Sequence, residues 1–173
     1  GLKRPLSIGT GSLTSVLLLS GFNSTPEAVA RKSSMDYLRT IVADNAVAMN
    51  QAASSTTQQA LDISAALSVD PVIATVFPNT GLGAQLKQVA KVIKLNQTSG
   101  AVNLQRQIFF VSQGGYDTHQ DQITDQGNNF LELSQALSAF YNATVELNLQ
   151  DNVTAFTLSD FGRTLSPSGS GGS

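Results

Sequence analysis

The sequence predicts an α/β fold in which a parallel-sheet βαβ core is covered by helices. Three consecutive segments in the second half of the chain support this: a short apolar run, a long amphipathic stretch and a second apolar run. Two strands joined by one helix form a βαβ unit, so we expect the strands to be parallel with a right-handed crossover.

The first predicted strand is residues 108–111, with the sequence IFFV. An apolar run without alternation is typical of a strand that is covered on both faces. Because side chains alternate along a strand, we expect Phe109 and Val111 to pack on one face of the sheet. The two even-numbered side chains, Ile108 and Phe110, should pack on the other face.

The crossover helix and the second strand follow. Apolar side chains recur at spacings of three and four within residues 123–149, which predicts a long amphipathic helix. These side chains are Phe130, Leu133, Leu137, Phe140 and Tyr141. Residues 153–158, VTAFTL, then predict the second strand.

The first half of the chain is predicted to be mostly helical. Residues 35–67 contain neither Gly nor Pro and repeat apolar residues at helical spacing, which indicates one long helix or two shorter ones. A further helix is predicted for residues 82–95. Near the N-terminus, residues 13–19 predict a strand with a following loop, because the apolar run is far below the ~20 residues that span a bilayer.

These elements predict either a single domain over residues 1–173 or a fragment of a larger α/β domain. Residues 1–104 would be the mostly helical part, and residues 105–173 would be the βαβ unit with its polar loops. The chain begins at Gly1 and ends with SPSGSGGS, so we expect a processed or excised piece. The tail is interpreted as a natural glycine-rich loop or an engineered flexible linker.

The composition narrows the class of protein. Charged residues make up only 13% of the chain, so its surface is polar without being charged, which favours an exported protein. The net charge is −2 and the basic residues are scattered, which gives no electrostatic footprint for nucleic acid or an anionic membrane. The absence of cysteine excludes disulfides, thiolate catalysis and Cys-ligated zinc.

Polar loops follow both predicted strands. The first, GGYDTH, is residues 114–119, and the second, SDFGRT, is residues 159–164. Ligands bind beyond the carboxyl ends of the strands in an open parallel sheet. If the strands are neighbours, the two loops face each other about one strand spacing apart, ~5 Å.

Asp117 and His119 are the first candidate metal ligands. In an extended segment residues i and i+2 point the same way, so both side chains can reach one ion. A divalent cation such as zinc accepts imidazole nitrogen and carboxylate oxygen together, and Asp160 offers a third ligand from the second loop. We expect the Asp117 and Asp160 carboxylates to lie within ~10 Å, two strand spacings. The alternative is that Asp117 caps the helix that begins near Ile123.

Arg163 has two interpretations. Beside a metal, its guanidinium could hold a phosphate or sulfate oxygen by a bidentate contact. In the absence of that role it would be a loop arginine that pairs with Asp160.

The two loops and the tail resemble motifs of a widespread bacterial family of unknown function. That family is usually exported by the twin-arginine route and is placed in the alkaline phosphatase and sulfatase superfamily. Its Gly-Gly-aromatic-Asp-Thr-His motif is matched by residues 114–119, and its Thr-x-Ser-(Asp/Glu)-Phe-Gly-Arg motif by residues 157–163. A third motif, Gly-Ser-Gly-Gly-Thr-Asp-His-Gly, is matched from Gly169 to Ser173, immediately before its Asp-His pair.

The resemblance implies a phosphatase-like or sulfatase-like α/β fold and a metal-dependent hydrolytic site for anionic esters. Asp117 and His119 would bind one ion, Asp160 the same or a second ion, and Arg163 an anion or the loop itself. Zinc or manganese is the implied metal, with calcium or magnesium as alternatives. The superfamily's nucleophile is not recognised in this chain, so none is assigned.

Two functional classes follow from this reading. The first is part of a metal-dependent hydrolase of phosphate or sulfate esters, incomplete in this chain and active on a small-molecule or polymeric substrate. The second is a noncatalytic exported protein, for binding or surface structure, that retains the fold. In both classes the location is periplasmic or extracellular, and no transmembrane segment or nucleic-acid partner is expected.

Overall fold

A computed structural model describes most of the chain. The described residues are 9–10, 25–43, 48–67, 69–100, 104–163, 165–166, 169 and 171–172. The strand predicted at residues 13–19 lies outside them.

The described residues contain four α-helices. These are α1 (Pro26–Ala43), α2 (Ala48–Leu67), α3 (Gly81–Thr98) and α4 (Gln122–Glu146). For residues 35–67, the alternative of two shorter helices is confirmed. The helices predicted at residues 82–95 and 123–149 are also confirmed, since α3 and α4 cover these ranges within a few residues.

The predicted α/β fold with a parallel βαβ core is wrong. The described part of the chain is helical and contains no sheet, and its one β contact is an isolated antiparallel bridge between Gln120 and Gly171. Residues 106–111 and 153–159 have no regular secondary structure and pair with no strand in the part of the chain that the structure describes. The two motif loops therefore do not follow paired parallel strands.

The exposure of the predicted strands gives the physical reason. Ile108 is 99% exposed and Phe110 is 91% exposed, although both were expected to lie on a covered face. Phe109 is 37% exposed, and Val111 packs against the hydrophobic core. An apolar run indicates a local preference for extended backbone. It does not show which part of the chain, if any, packs on the second face of the strand.

The chain divides into two compact units, of which the first comprises residues 1–70 and 95–105. Its helices α1 and α2 pack against each other, and the Ser54 hydroxyl donates a hydrogen bond to the carbonyl of Arg39 at 3.2 Å. An apolar groove of about 560 Å³ is lined by methionine, alanine, threonine and leucine, including Met35 and Met49.

The second unit comprises residues 71–94 and 106–173 and carries the motif loops. Its core lies between α3 and α4, where alanine side chains of α4 face larger apolar side chains of α3. The buried members are Ile73, Leu82, Leu86, Ala90, Ile93, Ala136, Phe140, Ala143 and Leu147. Phe130 and Tyr141, predicted on the apolar face of α4, are 56% and 59% exposed, because small alanines form the packing stripe instead.

A carboxylate at the end of α4 holds the segment that precedes α3. Glu146 accepts hydrogen bonds from the backbone N–H groups of Ala74 and Thr75 at 2.9 and 2.8 Å, and from the Thr75 hydroxyl at 2.7 Å. The hydrogen bond from Ala74, followed by those from Thr75, holds the pKa of the Glu146 carboxyl below its usual value. This clamp ties the C-terminal end of α4 to residues 74 and 75.

Candidate functional site

The first motif loop is attached to the exposed side of α4 by an amide side chain. The Asn129 side chain donates a hydrogen bond from Nδ2 to the carbonyl of Gly115 at 2.7 Å. The backbone carbonyl of Asn129 accepts a hydrogen bond from Gln113 Nε2 at 3.1 Å. Gly115 has a φ of 88°, a left-handed conformation that favours glycine. The turn before Asp117 is therefore fixed by Asn129.

An aromatic contact reinforces the same attachment. The ring of Tyr116 packs on that of Phe130 with centroids 5.7 Å apart, and its hydroxyl donates to Gln113 Oε1 at 3.1 Å. Burial, and secondarily the charge of Glu132, raises the pKa of the Tyr116 phenol. A neutral phenol that donates a hydrogen bond suits this half-buried position.

Thr118 anchors the loop between the two candidate ligands. It is only 5% exposed, and its hydroxyl accepts a hydrogen bond from Gln126 Nε2 at 3.4 Å. The neighbouring side chains of Asp117 and His119 are instead 63% and 75% exposed. The loop thus holds its backbone against α4 and leaves the two ligand side chains open to solvent.

One oxygen atom brings three functional groups together. Asp117 Oδ1 lies 2.6 Å from Arg163 Nη1 and 3.1 Å from His119 Nε2. The second guanidinium nitrogen of Arg163, Nη2, donates to the carbonyl of Thr118. The two motif loops therefore meet, although no sheet aligns them.

The contacts of Arg163 are those of a structural support. Its side chain is 17% exposed, and both terminal nitrogens donate to the first loop. Its guanidinium carbon also lies 5.9 Å from the ring centroid of Phe161. The interpretation in which Arg163 pairs with Asp160 is wrong, because the acidic partner is Asp117. Its assignment as an anion-binding residue stays a prediction.

Asp160 does not join this cluster in the described structure. It is exposed, and no hydrogen bond or ion pair links it to Asp117 or His119 among the described residues. In the same part of the chain, no three His, Asp or Glu side chains are close enough together to hold a metal ion. Asp160 as a metal ligand stays a prediction.

The separation of the Asp117 and His119 atoms is slightly shorter than that of two ligands of one zinc ion. Protein ligands lie about 2.0–2.2 Å from zinc, so two neighbouring ligand atoms of a tetrahedral site are roughly 3.3–3.6 Å apart. The distance of 3.1 Å between Asp117 Oδ1 and His119 Nε2 is that of an ion pair, and a small rotation of either exposed side chain would bring it into this range. Asp117 and His119 therefore offer two donor groups of the types that zinc accepts.

Asp117 does not cap helix α4. The N-cap of α4 is Asp121, whose backbone is left-handed with a φ of 46° and whose side chain makes no capping hydrogen bond. The alternative in which Asp117 caps this helix is therefore wrong. Its carboxylate is directed to Arg163 and His119 instead.

The glycine-rich tail contacts the backbone of the first loop. The carbonyl of Gly171 accepts a hydrogen bond from the N–H of Gln122 at 3.0 Å, and Gly171 bridges to Gln120. A Cβ atom at Gly172 would overlap the backbone of His119, so only glycine fits this approach. Sequence reasoning missed this role, and also that of Asn129, because both depend on contacts between distant parts of the chain.

The family comparison covers most of the chain. A family model described as "Protein of unknown function (DUF1501)" matches residues 44–173. The chain therefore belongs to this family of unknown function. No curated protein and no solved structure matches it.

Proposed function

We propose that the chain is part of a metal-dependent hydrolase of phosphate or sulfate esters. The observation that carries the proposal is the 3.1 Å approach of His119 Nε2 to Asp117 Oδ1, on a loop fixed to α4 by Asn129 and Thr118. The substrate class is supported by the resemblance of both loops to motifs of a family that is placed in the alkaline phosphatase and sulfatase superfamily. The proposal concerns this chemistry and not a superfamily fold.

Each residue of the site would have a separate role. Asp117 and His119 would hold the metal, and Asp160 would add a ligand if its loop moved towards them. A divalent ion, zinc or manganese before calcium or magnesium, would stabilise negative charge on the ester oxygens. Arg163 keeps the Asp117 carboxylate oriented, and an oriented ligand binds an ion more tightly.

We also propose that the protein is exported to the periplasm or the cell exterior, by the twin-arginine route that the resemblance implies. A charged fraction of 13% supports this location. No described helix is long and apolar enough to cross a membrane. The expected substrate is a small or polymeric anionic ester, and no nucleic-acid partner is proposed.

The test combines metal binding with hydrolysis. We expect calorimetry with zinc or manganese to show one weak site per chain, and Asp117→Asn or His119→Ala to lower its affinity by at least about tenfold. Asp125→Asn is the matched control, because Asp125 lies in the first turn of α4 outside the site. Turnover of aryl phosphates and aryl sulfates is then measured with and without metal.

The outcomes separate the two functional classes. Metal-dependent turnover that is lost in His119→Ala supports the hydrolase. Metal binding without turnover, in this chain and in a chain extended past Ser173, favours a noncatalytic exported protein for binding or surface structure. Equal metal affinity in the wild type and His119→Ala would show that His119 is not a metal ligand and would contradict the proposed site.

A further inference from the structure

The position of the His119 imidazole depends on the backbone that carries it. The side chain is 75% exposed, so packing against the rest of the molecule does little to fix it. The ring is joined to the backbone through the χ1 and χ2 torsions alone, so a shift of the backbone carries the ring with it. The contacts that hold the backbone of residues 118–122 therefore also hold the ring near the Asp117 carboxylate.

Two parts of the chain hold the beginning of this segment. The Thr118 hydroxyl accepts a hydrogen bond from Gln126 of α4 at 3.4 Å, and the Thr118 carbonyl accepts one from Arg163 of the second motif loop. Both contacts are made to Thr118, the residue before His119. They fix one end of the segment, and the other end is its junction with α4.

The glycine-rich tail lies along the rest of the segment. Gly171 forms the antiparallel bridge with Gln120, and its carbonyl accepts a hydrogen bond from the N–H of Gln122 at 3.0 Å. Gly172 lies directly against the backbone of His119, where an added Cβ atom would overlap the His119 carbonyl group. Two consecutive glycines thus contact the segment at His119 itself and on both sides of the turn that follows it.

That turn is held by the tail in place of a local cap. Asp121 has a left-handed backbone with a φ of 46°, which is uncommon for a residue other than glycine, and its side chain makes no capping hydrogen bond in the described structure. The first N–H groups of a helix have no partner within the helix. The Gly171 carbonyl takes the N–H of Gln122, so the tail supplies the cap that Asp121 does not.

We propose that Gly171 and Gly172 are positioning residues that hold His119 in place as a metal ligand. The inference rests on the proposed function, in which His119 binds the ion, and the tail acts through the His119 backbone. A metal ligand has to be held within roughly 0.5 Å of its working position. Glycine is needed at both tail positions, because Gly171 has a φ of 79° and Gly172 has no room for a Cβ atom.

NMR spectroscopy of the imidazole tests the proposal without metal. His119 is the single histidine of the chain, so every imidazole signal belongs to it. Gly171→Ala and Gly172→Ala should both displace these signals, because each substitution shifts the tail or the backbone beneath it. A tail that only stabilises the fold would leave the ring signals of the folded protein unchanged. Circular dichroism checks that both variants keep their helices at the temperature of the spectra.

Zinc affinity, measured by calorimetry, then gives the consequence for the site. Both variants should bind zinc more weakly than the wild type by about tenfold or more, the effect of losing a group that orients a ligand. Gly169→Ala is the matched control, because it lies in the same tail and its added Cβ meets nothing within 4 Å. Its imidazole signals and zinc affinity should be those of the wild type.

The outcomes separate this proposal from the proposed function. Imidazole signals that stay unchanged in Gly172→Ala would overturn the positioning role, and so would an equal displacement in Gly169→Ala. If the wild type binds zinc, displaced signals with undiminished affinity would overturn it as well. A wild type that binds no zinc, with displaced signals in Gly171→Ala and Gly172→Ala, contradicts the proposed function but supports the positioning of His119 by the tail.

Discussion

At the scale of single residues, the environment of Asp117 explains how two loops meet without a sheet. Its Oδ1 atom accepts from Arg163 at 2.6 Å and lies 3.1 Å from His119 Nε2, and Arg163 also reaches the neighbouring carbonyl of Thr118. The planar guanidinium can make both contacts at once, whereas an ammonium group is a point charge. Arg163 therefore orients the loop as well as neutralising the carboxylate.

Arg163→Lys should lower the free energy of unfolding by about 1 kcal/mol, since it removes one of two charge-assisted hydrogen bonds at a partly solvated position. Denaturant unfolding measures the change. Arg106→Lys is the control, because Arg106 is exposed and makes no hydrogen bond or ion pair with another described residue. Equal effects of the two substitutions would show that the contact to Thr118 contributes nothing.

The tail offers a second test at this scale. Gly172→Ala should lower the free energy of unfolding by about 1–3 kcal/mol, because the added Cβ overlaps the His119 backbone and must displace it or the tail. Gly169→Ala is the matched control, since a Cβ at Gly169 meets nothing within 4 Å. Both are compared by urea unfolding. A Gly172 variant as stable as the Gly169 variant would mean that the tail is not held against the loop.

At the scale of elements, the sequence predicted the helices, but it did not predict that the two apolar segments would be exposed and not paired in a sheet in the described chain. The bounds of α3 and α4 follow from a spacing of three and four, which is a local property of the chain. Residues 108–111 were predicted to be covered on both faces, and the exposure of Ile108 and Phe110 contradicts this. Extended backbone can be read locally, but the covering of its second face depends on distant residues.

In the candidate site, too, the local contact could be predicted from the sequence and the contact between distant residues could not. The approach of Asp117 to His119 could be predicted, because residues i and i+2 share a side of an extended chain. The contact between Arg163 and Asp117 joins residues 46 apart, and Asp160 was an equally charged alternative. Because Asp117 and Asp160 carry the same charge, the sequence could not show which of them pairs with Arg163.

The contact of Glu146 with residues 74 and 75 belongs to the same scale and depends on pH. Glu146→Gln should lower the free energy of unfolding by about 1 kcal/mol at pH 7, because an amide oxygen accepts more weakly than a carboxylate and these bonds are exposed to water. The folded-state pKa of Glu146 is lowered, so this stability is present above the unfolded-state pKa of about 4.5 and is lost as the pH falls through the folded-state pKa.

Urea unfolding of both proteins as a function of pH measures this difference. The wild type and Glu146→Gln should differ at pH 7 and converge in acid. Asp151→Asn, at an exposed turn outside the helices, is the control and should have little effect at either pH. A difference that persists unchanged in acid would show that the Glu146 charge is not the cause.

At the scale of the whole molecule, the second unit is assembled from separated stretches of chain. Residues 71–94 and 106–173 form it, and residues 95–105 between them belong to the first unit. The core between α3 and α4 supplies the rigid support on which the first motif loop rests through Asn129 and Thr118. The prediction of one βαβ unit over residues 105–173 failed at this scale, because the packing partner of α4 is a helix earlier in the chain.

The Glu146 clamp also bears on the order of folding events. Its hydrogen bonds to Ala74 and Thr75 close loops of 72 and 71 residues, so the chain must lose much conformational freedom before they form. Contacts made after the rate-limiting step slow unfolding without speeding folding. We therefore expect Glu146→Gln to increase the unfolding rate in stopped-flow measurements and to leave the refolding rate unchanged. A slower refolding arm would place the clamp in the folding nucleus instead.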